Sequence, residues 1–321
     1  KQAIDIEEKI GDRRGFARLK LAFCQSELVF DSQEEAINYY KQSLAIAKEL
    51  EDSIEITSNL MKIGYLLRES KPDQAKDYYI EAHRISEKLK QKDDIIFLFL
   101  QIGDAYAKIG EGNKALNYYM RALRLSEEDN NKNNIMVTFF TIGRYYHSKD
   151  DLDTALDYYN RSLNISVDPE LNQYLFMMLD YIGVIYQSKG DLNTALNFYI
   201  RILEKDEQFW NFIFGKAQPL FRIGSIYQIT GEYEKAVDYY TQSHEIYKKL
   251  GNTPWIVASM TNMGICYNEI SNIESDYLNQ ILNQLRAVEF LEKSHALLIE
   301  IERKDILLKT TTYLYLYYKN E

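Results

Sequence analysis

The sequence predicts an all-α solenoid of paired antiparallel helices, and three observations carry that prediction. A seven-residue signature recurs as AINYYKQ, AKDYYIE, ALNYYMR, ALDYYNR, ALNFYIR, AVDYYTQ and AVEFLEK, led by Ala36, Ala75, Ala115, Ala155, Ala195, Ala236 and Ala287. The alanines stand 39, 40, 40, 40, 41 and 51 residues apart. A second signature, Ile-Gly-x-x-Tyr and its variants, keeps step with it at Gly64, Gly103, Gly143, Gly183, Gly224 and Gly264. Between these markers apolar residues recur at threes and fours, as in Phe97, Leu100, Ile102 and Tyr106, then Ala115, Tyr119, Ala122 and Leu123. A fixed period of this kind marks stacked repeats, each burying its apolar face against its neighbours.

Each unit reads as two helices. The first carries the glycine, the second the alanine, and a polar turn such as GEGNK (110–114), KDDLDT, KGDLNT or TGEYEK joins them. The small residues have a steric reason. Helices approach to about 8 Å only where one lacks a large side chain. Glycine inside a helix costs about 1 kcal/mol against alanine, so close packing must offset it. The tyrosines fill the space beside the notch.

In chain order, residues 1–12 read as the end of a second helix, because KQAIDIEEKIGDRRG aligns with KQSLAIAKELEDS. Helix pairs follow near 16–51, 54–91, 94–129, 133–167, 172–207, 209–250 and 254–302, and a half-unit closes the chain at 304–321. We treat 1–321 as one solenoid domain and expect it to be a fragment of a longer protein; the competing reading is that Lys1 begins a processed chain. Pro219, with Gly215 close by, predicts a kink or late helix start near 215–219. Thr253 reads as an N-cap with Pro254 at the first helical position. The 51-residue interval holds an insertion, SNIESDYLNQILNQL (271–285), of about three helical turns. We expect the second helix of unit seven to run long and protrude. Leu278, Ile281, Leu282 and Leu285 would continue the stripe of Ala287 and Phe290 and offer a contact to the chain itself or to a partner.

Bulk composition excludes several classes. A formal charge of −10 argues against a nucleic-acid grip, which needs clustered Lys and Arg, and leaves basic proteins or peptides open. Two cysteines, Cys24 and Cys266, fall in the first and seventh units and read as small buried hydrophobes rather than a disulfide. No run of about 18 apolar residues suggests membrane insertion by this segment. His83, His244 and His295 occupy a framework slot eight residues after the repeat alanine, where Leu44, Leu123 and Leu163 stand elsewhere. No phosphate loop, HExxH or nucleophile elbow appears. We expect no enzyme activity, no cofactor and no metal.

Leu/Ile-Gly-x-x-Tyr followed by Ala-x-x-x-Phe/Tyr-x-x-Ala resembles the tetratricopeptide repeat. Unit three carries Ile102, Gly103, Tyr106, Ala115, Tyr119 and Ala122 in those slots; unit four carries Ile142, Gly143, Tyr146, Ala155, Tyr159 and Ser162. Two features depart from the family. Its closing proline is missing, Glu127 and Val167 standing there, and the period is about 40 rather than the usual 34. This long variety is similar to the repeats of kinesin light chain and of bacterial signalling proteins. The resemblance implies a right-handed superhelix of about seven repeats whose first helices line a concave groove. Slots one, four and five after the glycine, and three and six before it, would point into that groove. They supply the candidate partner-binding residues Arg68, Asp104, Phe140, Arg144, His147, Gln187, Phe221, Gln228 and Asn268. The chaperone-binding members place asparagine one residue after the glycine, and this chain never does, so a co-chaperone role is not expected. The resemblance implies a non-enzymatic protein- or peptide-binding module, a sensor or scaffold region of a larger signalling protein. Two alternatives stand beside it: a peptide-receptor regulator of the bacterial Rap type, and a regulatory region attached to an enzyme domain outside this chain. The expected compartment is the cytoplasm, or the periplasm if a signal sequence has been removed.

Overall fold

A computed structural model of the chain describes residues 32–165, 172–204 and 215–300. The described residues form thirteen α-helices and no strand. These are α1 (Gln33–Glu49), α2 (Ser53–Leu67), α3 (Pro72–Leu89), α4 (Lys92–Lys108), α5 (Gly112–Glu128), α6 (Lys132–Ser148) and α7 (Leu152–Leu163), then α8 (Asn172–Ser188), α9 (Leu192–Leu203), α10 (Ala217–Ile229), α11 (Tyr233–Lys249), α12 (Thr253–Ile273) and α13 (Tyr277–Glu300). They fall in two compact units, one holding α1–α7 and the other α8–α13. Within each unit, helices adjacent in sequence pack against one another. Even-numbered helices carry the repeat glycine and are called A helices; odd-numbered ones carry the alanine and are called B helices. Both expected half-units, and Cys24, lie outside the described residues.

Local chemistry punctuates the helices. Side chains of Ser32, Asp52, Asn131, Asp151 and Asp191 each accept a hydrogen bond from the backbone N–H three residues on, the N-cap arrangement that satisfies an orphan donor. Helices leave through a left-handed residue. Gly110, Gly190, Gly231 and Gly251 do so at φ +86°, +81°, +80° and +64°, and Glu51, Lys90, Asn130 and Asp150 at +53°, +56°, +49° and +62°. The following backbone N–H groups turn back on the last carbonyls, as Gly110 N to Ala107 O and Glu111 N to Tyr106 O.

The core repeats one contact. A Cβ on Gly64, Gly103, Gly143 or Gly183 would stand 2.4–2.7 Å from a ring carbon of Tyr79, Tyr119, Tyr159 or Tyr199 on the following B helix. Each glycine is therefore the seat of a tyrosine ring, and these rings are almost wholly buried. In the last pair Leu291 takes the tyrosine's place over Gly264. In five of the six described A–B hairpins a second aromatic pair stacks. Tyr106 lies on Tyr118, Tyr146 on Tyr158, Tyr186 on Phe198, Tyr227 on Tyr239 and Tyr267 on Phe290, with centroids 5.5–5.8 Å apart. Such pairs contribute about 0.5–1.5 kcal/mol each beyond their buried area.

Three expectations are refined. α10 starts late, at Ala217, so Pro219 sits in the first turn where no intrahelical donor is missed. The N-cap of α12 is Asn252 rather than Thr253, which places Pro254 at the second helical position. The insertion does not lengthen the B helix alone. α10 ends five residues after Gly224 but α12 nine after Gly264, and α11 begins three residues before Ala236 but α13 ten before Ala287. Four residues thus extend one arm and seven the other, and the two arms remain paired: Ser271 donates to the Gln280 carbonyl at 3.0 Å. The inward line on α13 is Gln280, Asn283, Ala287 and Leu291. Leu278, Leu282 and Leu285 instead point outward at 75%, 45% and 58% exposure, with Ile281 half-buried. Ile270, Ser271 and Asn283 are the buried residues of the paired arms.

Candidate functional site

In the first unit, the A helices α2, α4 and α6 of three successive repeats border a cleft of about 290 Å³. It is lined by Tyr65, Arg68 and Glu69 at the end of α2, Gln101, Asp104, Ala105 and Lys108 on α4, and Arg144 on α6. Three of the candidates read from the sequence, Arg68, Asp104 and Arg144, are brought together here. The repeat explains why. A residue one or four after the glycine lies beside the notch, within reach of the hydroxyl of the seated tyrosine, as Asp104 is of Tyr119 and Gln187 of Tyr199.

The floor of the cleft is Asp104. Its Oδ1 accepts from the Tyr119 hydroxyl at 2.6 Å, and its Oδ2 faces Arg144 Nη2 at 3.9 Å. Burial pushes the Asp104 carboxyl above its ordinary range, and the charge of Arg144 and the Tyr119 hydroxyl pull the other way. At the rim, Lys108 Nζ holds Glu69 at 2.5 Å and donates to the Arg68 carbonyl at 3.3 Å. The bond from Lys108 to Glu69 holds the Glu69 carboxyl below its usual range. The Arg68 guanidinium lies 3.4 Å over the Tyr65 ring and donates to the Tyr65 carbonyl at 2.9 Å. Gln101 accepts from the Tyr79 hydroxyl at 3.4 Å. Glu69, Gln101 and Lys108 were not among the candidates. The slot five after the glycine names Glu69 and Lys108; Gln101 becomes a lining residue only through the tyrosine of the preceding B helix.

The other candidates are placed differently. Phe140 is 1% exposed and packs on Tyr159 at 5.8 Å, so it belongs to the core and has no surface to offer a ligand. The slot three before the glycine faces the B helix: Leu100, Asp180 and Thr261 are buried there too. His147 is half-buried, edge-on to Tyr159 at 6.4 Å, and burial lowers its pKa. In the second unit, Phe221 packs between Tyr240 and Trp255, each at 5.1 Å. Gln187 and Gln228 accept from the hydroxyls of Tyr199 and Tyr240 at 3.2 and 2.7 Å, so their carbonyl oxygens serve the framework. Gln187 also donates to Ser225 Oγ at 3.3 Å. Asn268 is half-buried and donates to Glu269 at 3.4 Å. Also in this unit, Asp180 takes a hydrogen bond from Gln218 at 2.9 Å and faces Arg222 Nε at 3.4 Å; burial raises its pKa.

His83 is buried against Phe99 at 4.7 Å, as a framework residue would be. Among the described residues no group of three or more His, Cys, Asp or Glu could hold a metal ion, and no helix is long and apolar enough to cross a membrane. Cys266 is buried and free, and burial pushes its thiol up to about 12.

The tetratricopeptide-repeat family model matches residues 94–166 and 216–275. No curated protein matches the chain in sequence. Among solved structures, the apo quorum sensor NprR from B. thuringiensis aligns with a TM-score of 0.58 at 14% identity, covering 97% of this chain and 92% of that one. The Rap conjugation gene regulator of plasmid pLS20, solved with the Phr* peptide, aligns at 0.55 and 16% identity over 91% and 78%. A signal-transduction ATPase with a tetratricopeptide-repeat sensor, from Pyrococcus horikoshii, aligns at 0.63 and 16% identity. This chain covers 93% of its own length there and 47% of that protein. Identities this low establish a shared fold. With the repeat match, the seated tyrosines and the paired helices agreeing, residues 94–166 and 216–275 carry tetratricopeptide repeats and the described helices share the tetratricopeptide-repeat fold.

Proposed function

We propose that this chain is a non-catalytic module that binds a peptide or a peptide-like segment of a protein through the A-helix face of its first unit. The observation that supports it most is the cleft shared by three successive A helices, which gathers Arg68, Asp104 and Arg144 around exposed polar groups and the Tyr65 ring. A charged groove of about 290 Å³ suits one or two side chains of an extended ligand, with hydrogen-bonding groups at its walls. A negatively charged chain of −10 favours a protein partner over nucleic acid. The module would act as the sensor or scaffold part of a larger signalling protein in the cytoplasm, a setting in keeping with the free Cys266 thiol and testable by fractionation.

The experiment is selection of binders from a displayed peptide library on the whole chain, then titration calorimetry of the best peptide. Arg144→Ala should weaken binding by about 1–3 kcal/mol, as for loss of a charged hydrogen bond, with an unchanged melting temperature. Asp157→Ala is the control. That residue lies on B helix α7, is 67% exposed and pairs with Arg161 at 3.8 Å. Dependence on Asp157 with indifference to Arg144 would overturn the assignment of the face.

A second reading is a peptide-receptor regulator. It is favoured by the near end-to-end alignment with NprR and by the Rap regulator solved with its Phr* peptide. Binding of a short free peptide, with no need of a folded partner, separates it from a scaffold role.

A further inference from the structure

This inference rests on the reading that the A-helix face of the first unit binds a peptide. We propose that the cleft at Arg144 receives a carboxylate of that peptide, and that Asp104 takes up a proton from solvent as the carboxylate binds.

The first half follows from which cation has its hydrogen bonds left to give. Lys108 is held by Glu69 at 2.5 Å and by the Arg68 carbonyl at 3.3 Å. Arg68 is stacked on Tyr65 and bonded to its carbonyl at 2.9 Å. Arg144 is different. Its side chain is 42% exposed, and its closest anionic partner among the described residues is Asp104 Oδ2 at 3.9 Å, beyond hydrogen-bond length. Its planar fork therefore faces the cleft with donors to spare, the geometry that carboxylates match in pairs of parallel bonds. The lining holds three cations and two carboxylates, a local surplus of one positive charge in a chain of net −10.

The second half follows from what lies behind the fork. Asp104 adjoins Arg144, with one oxygen occupied by the Tyr119 hydroxyl from α5 and the other turned to Arg144 from α6. Lys108 on its own helix and Glu69 at the end of α2 complete the charged groups around it. A ligand carboxylate on Arg144 adds a second negative charge a few ångströms from Asp104. Two carboxylates sharing one site cannot both stay ionised cheaply, and the more buried one is the one that protonates. Burial already tilts Asp104 that way. The new bond is O–H on Asp104, the proton comes from water, and Arg144 is left facing one full negative charge instead of two.

The test uses the whole chain and three capped probes. These are a pentapeptide amide with a central glutamate, its glutamine twin, and an all-alanine pentapeptide with a free C-terminus. The readout is the Arg144 side-chain Nε–Hε resonance, assigned by its loss in Arg144→Lys. Both carboxylate peptides, or one of them, should shift this resonance while the glutamine peptide does not; which one does so identifies a side chain or a chain terminus as the source. Affinity should rise about threefold to tenfold from pH 7.5 to pH 5.5, up to one unit of linked pKa. In Asp104→Asn that pH dependence should vanish. No shift beyond the glutamine control, or an undiminished pH dependence in Asp104→Asn, would overturn the proposal. A library peptide that binds without moving Arg144 would sink this inference and leave peptide binding standing; failure of every library peptide would sink the broader reading.

Discussion

Replacing Gly103 by alanine sets two effects of opposite sign against each other. In an exposed helix the change would stabilise by about 1 kcal/mol, because glycine loses more backbone entropy on folding. Here the new Cβ would lie 2.4 Å from Cε1 and 2.7 Å from Cδ1 of Tyr119. Carbon atoms rest comfortably at about 3.5–4.0 Å, so the ring must retreat by roughly 1 Å. It has little room: Tyr119 is buried in the core and its hydroxyl is tied to Asp104 at 2.6 Å. Overpacking of a tight contact costs about 1–3 kcal/mol, and a displacement this large belongs at the upper end. The net expectation is a loss of about 1–2 kcal/mol, or roughly 2–6 °C of melting temperature. Gly224 supplies the internal comparison, since its Cβ would stand 3.0 Å from Tyr240 and ask for a few tenths of an ångström. Gly224→Ala should fall within about 0.5 kcal/mol of the parent, as propensity and crowding nearly cancel. Urea and thermal melts followed by circular dichroism decide it. A Gly103→Ala chain that melts at or above the parent would refute the seated-ring account, because only helix propensity would then be at work.

Two further outcomes follow from the same coordinates. Lys90 and Asp150 close their helices at φ +56° and +62°, a region that side chains with a Cβ occupy at a cost, so Lys90→Gly and Asp150→Gly should each stabilise by about 0.5–1 kcal/mol in urea melts, while Gly110→Ala should destabilise by a similar amount. Burial raises the Asp180 carboxyl, and a carboxyl raised on folding contributes stability at acid pH that is lost as pH climbs through its folded value. The melting temperature of Asp180→Asn minus that of the parent should therefore grow from pH 4 to pH 7; a difference that shrinks instead would mean that the Arg222 pair outweighs desolvation.

The period and the helix pairing were legible because each depends on neighbours within one repeat. The spacing of Gly103 from Ala115 already implies a close crossing, and the structure adds only which ring fills it. The site was legible in part for the same reason. Arg68, Asp104 and Arg144 lie at slots read from the repeat and converge because consecutive A helices stack. What failed depended on the next helix over. Phe140 looked like an aromatic groove residue, but three before the glycine is one turn back on the side that meets Tyr159. Leu278, Ile281, Leu282 and Leu285 read as continuing the apolar stripe of Ala287 and Phe290 on one long helix, but the insertion is shared between two arms, and Asn283, not these leucines, is the buried residue of that stretch. Sequence spacing along one helix does not state where its partner helix ends.

The framework and the candidate site are not separable sets of residues. Tyr79, Tyr119, Tyr199 and Tyr240 each carry the hydroxyl to the edge of the A-helix face, where a buried polar tip needs a partner. In unit one that partner is Gln101 for Tyr79 and Asp104 for Tyr119; in unit two it is Gln187 for Tyr199 and Gln228 for Tyr240. The tyrosine thereby orients the polar residue that the face presents. For the glutamines it engages the carbonyl oxygen, and the Gln187 amide donates to Ser225 Oγ on the next A helix. For Asp104 it engages one carboxylate oxygen and turns the other to Arg144. A repeat whose tyrosine became phenylalanine would keep its core volume and lose this orientation. The last repeat has already made the larger change, to Leu291, and there Asn268 turns to its chain neighbour Glu269 instead. Variation at the seated position can therefore alter recognition without a single substitution in the residues that touch the ligand.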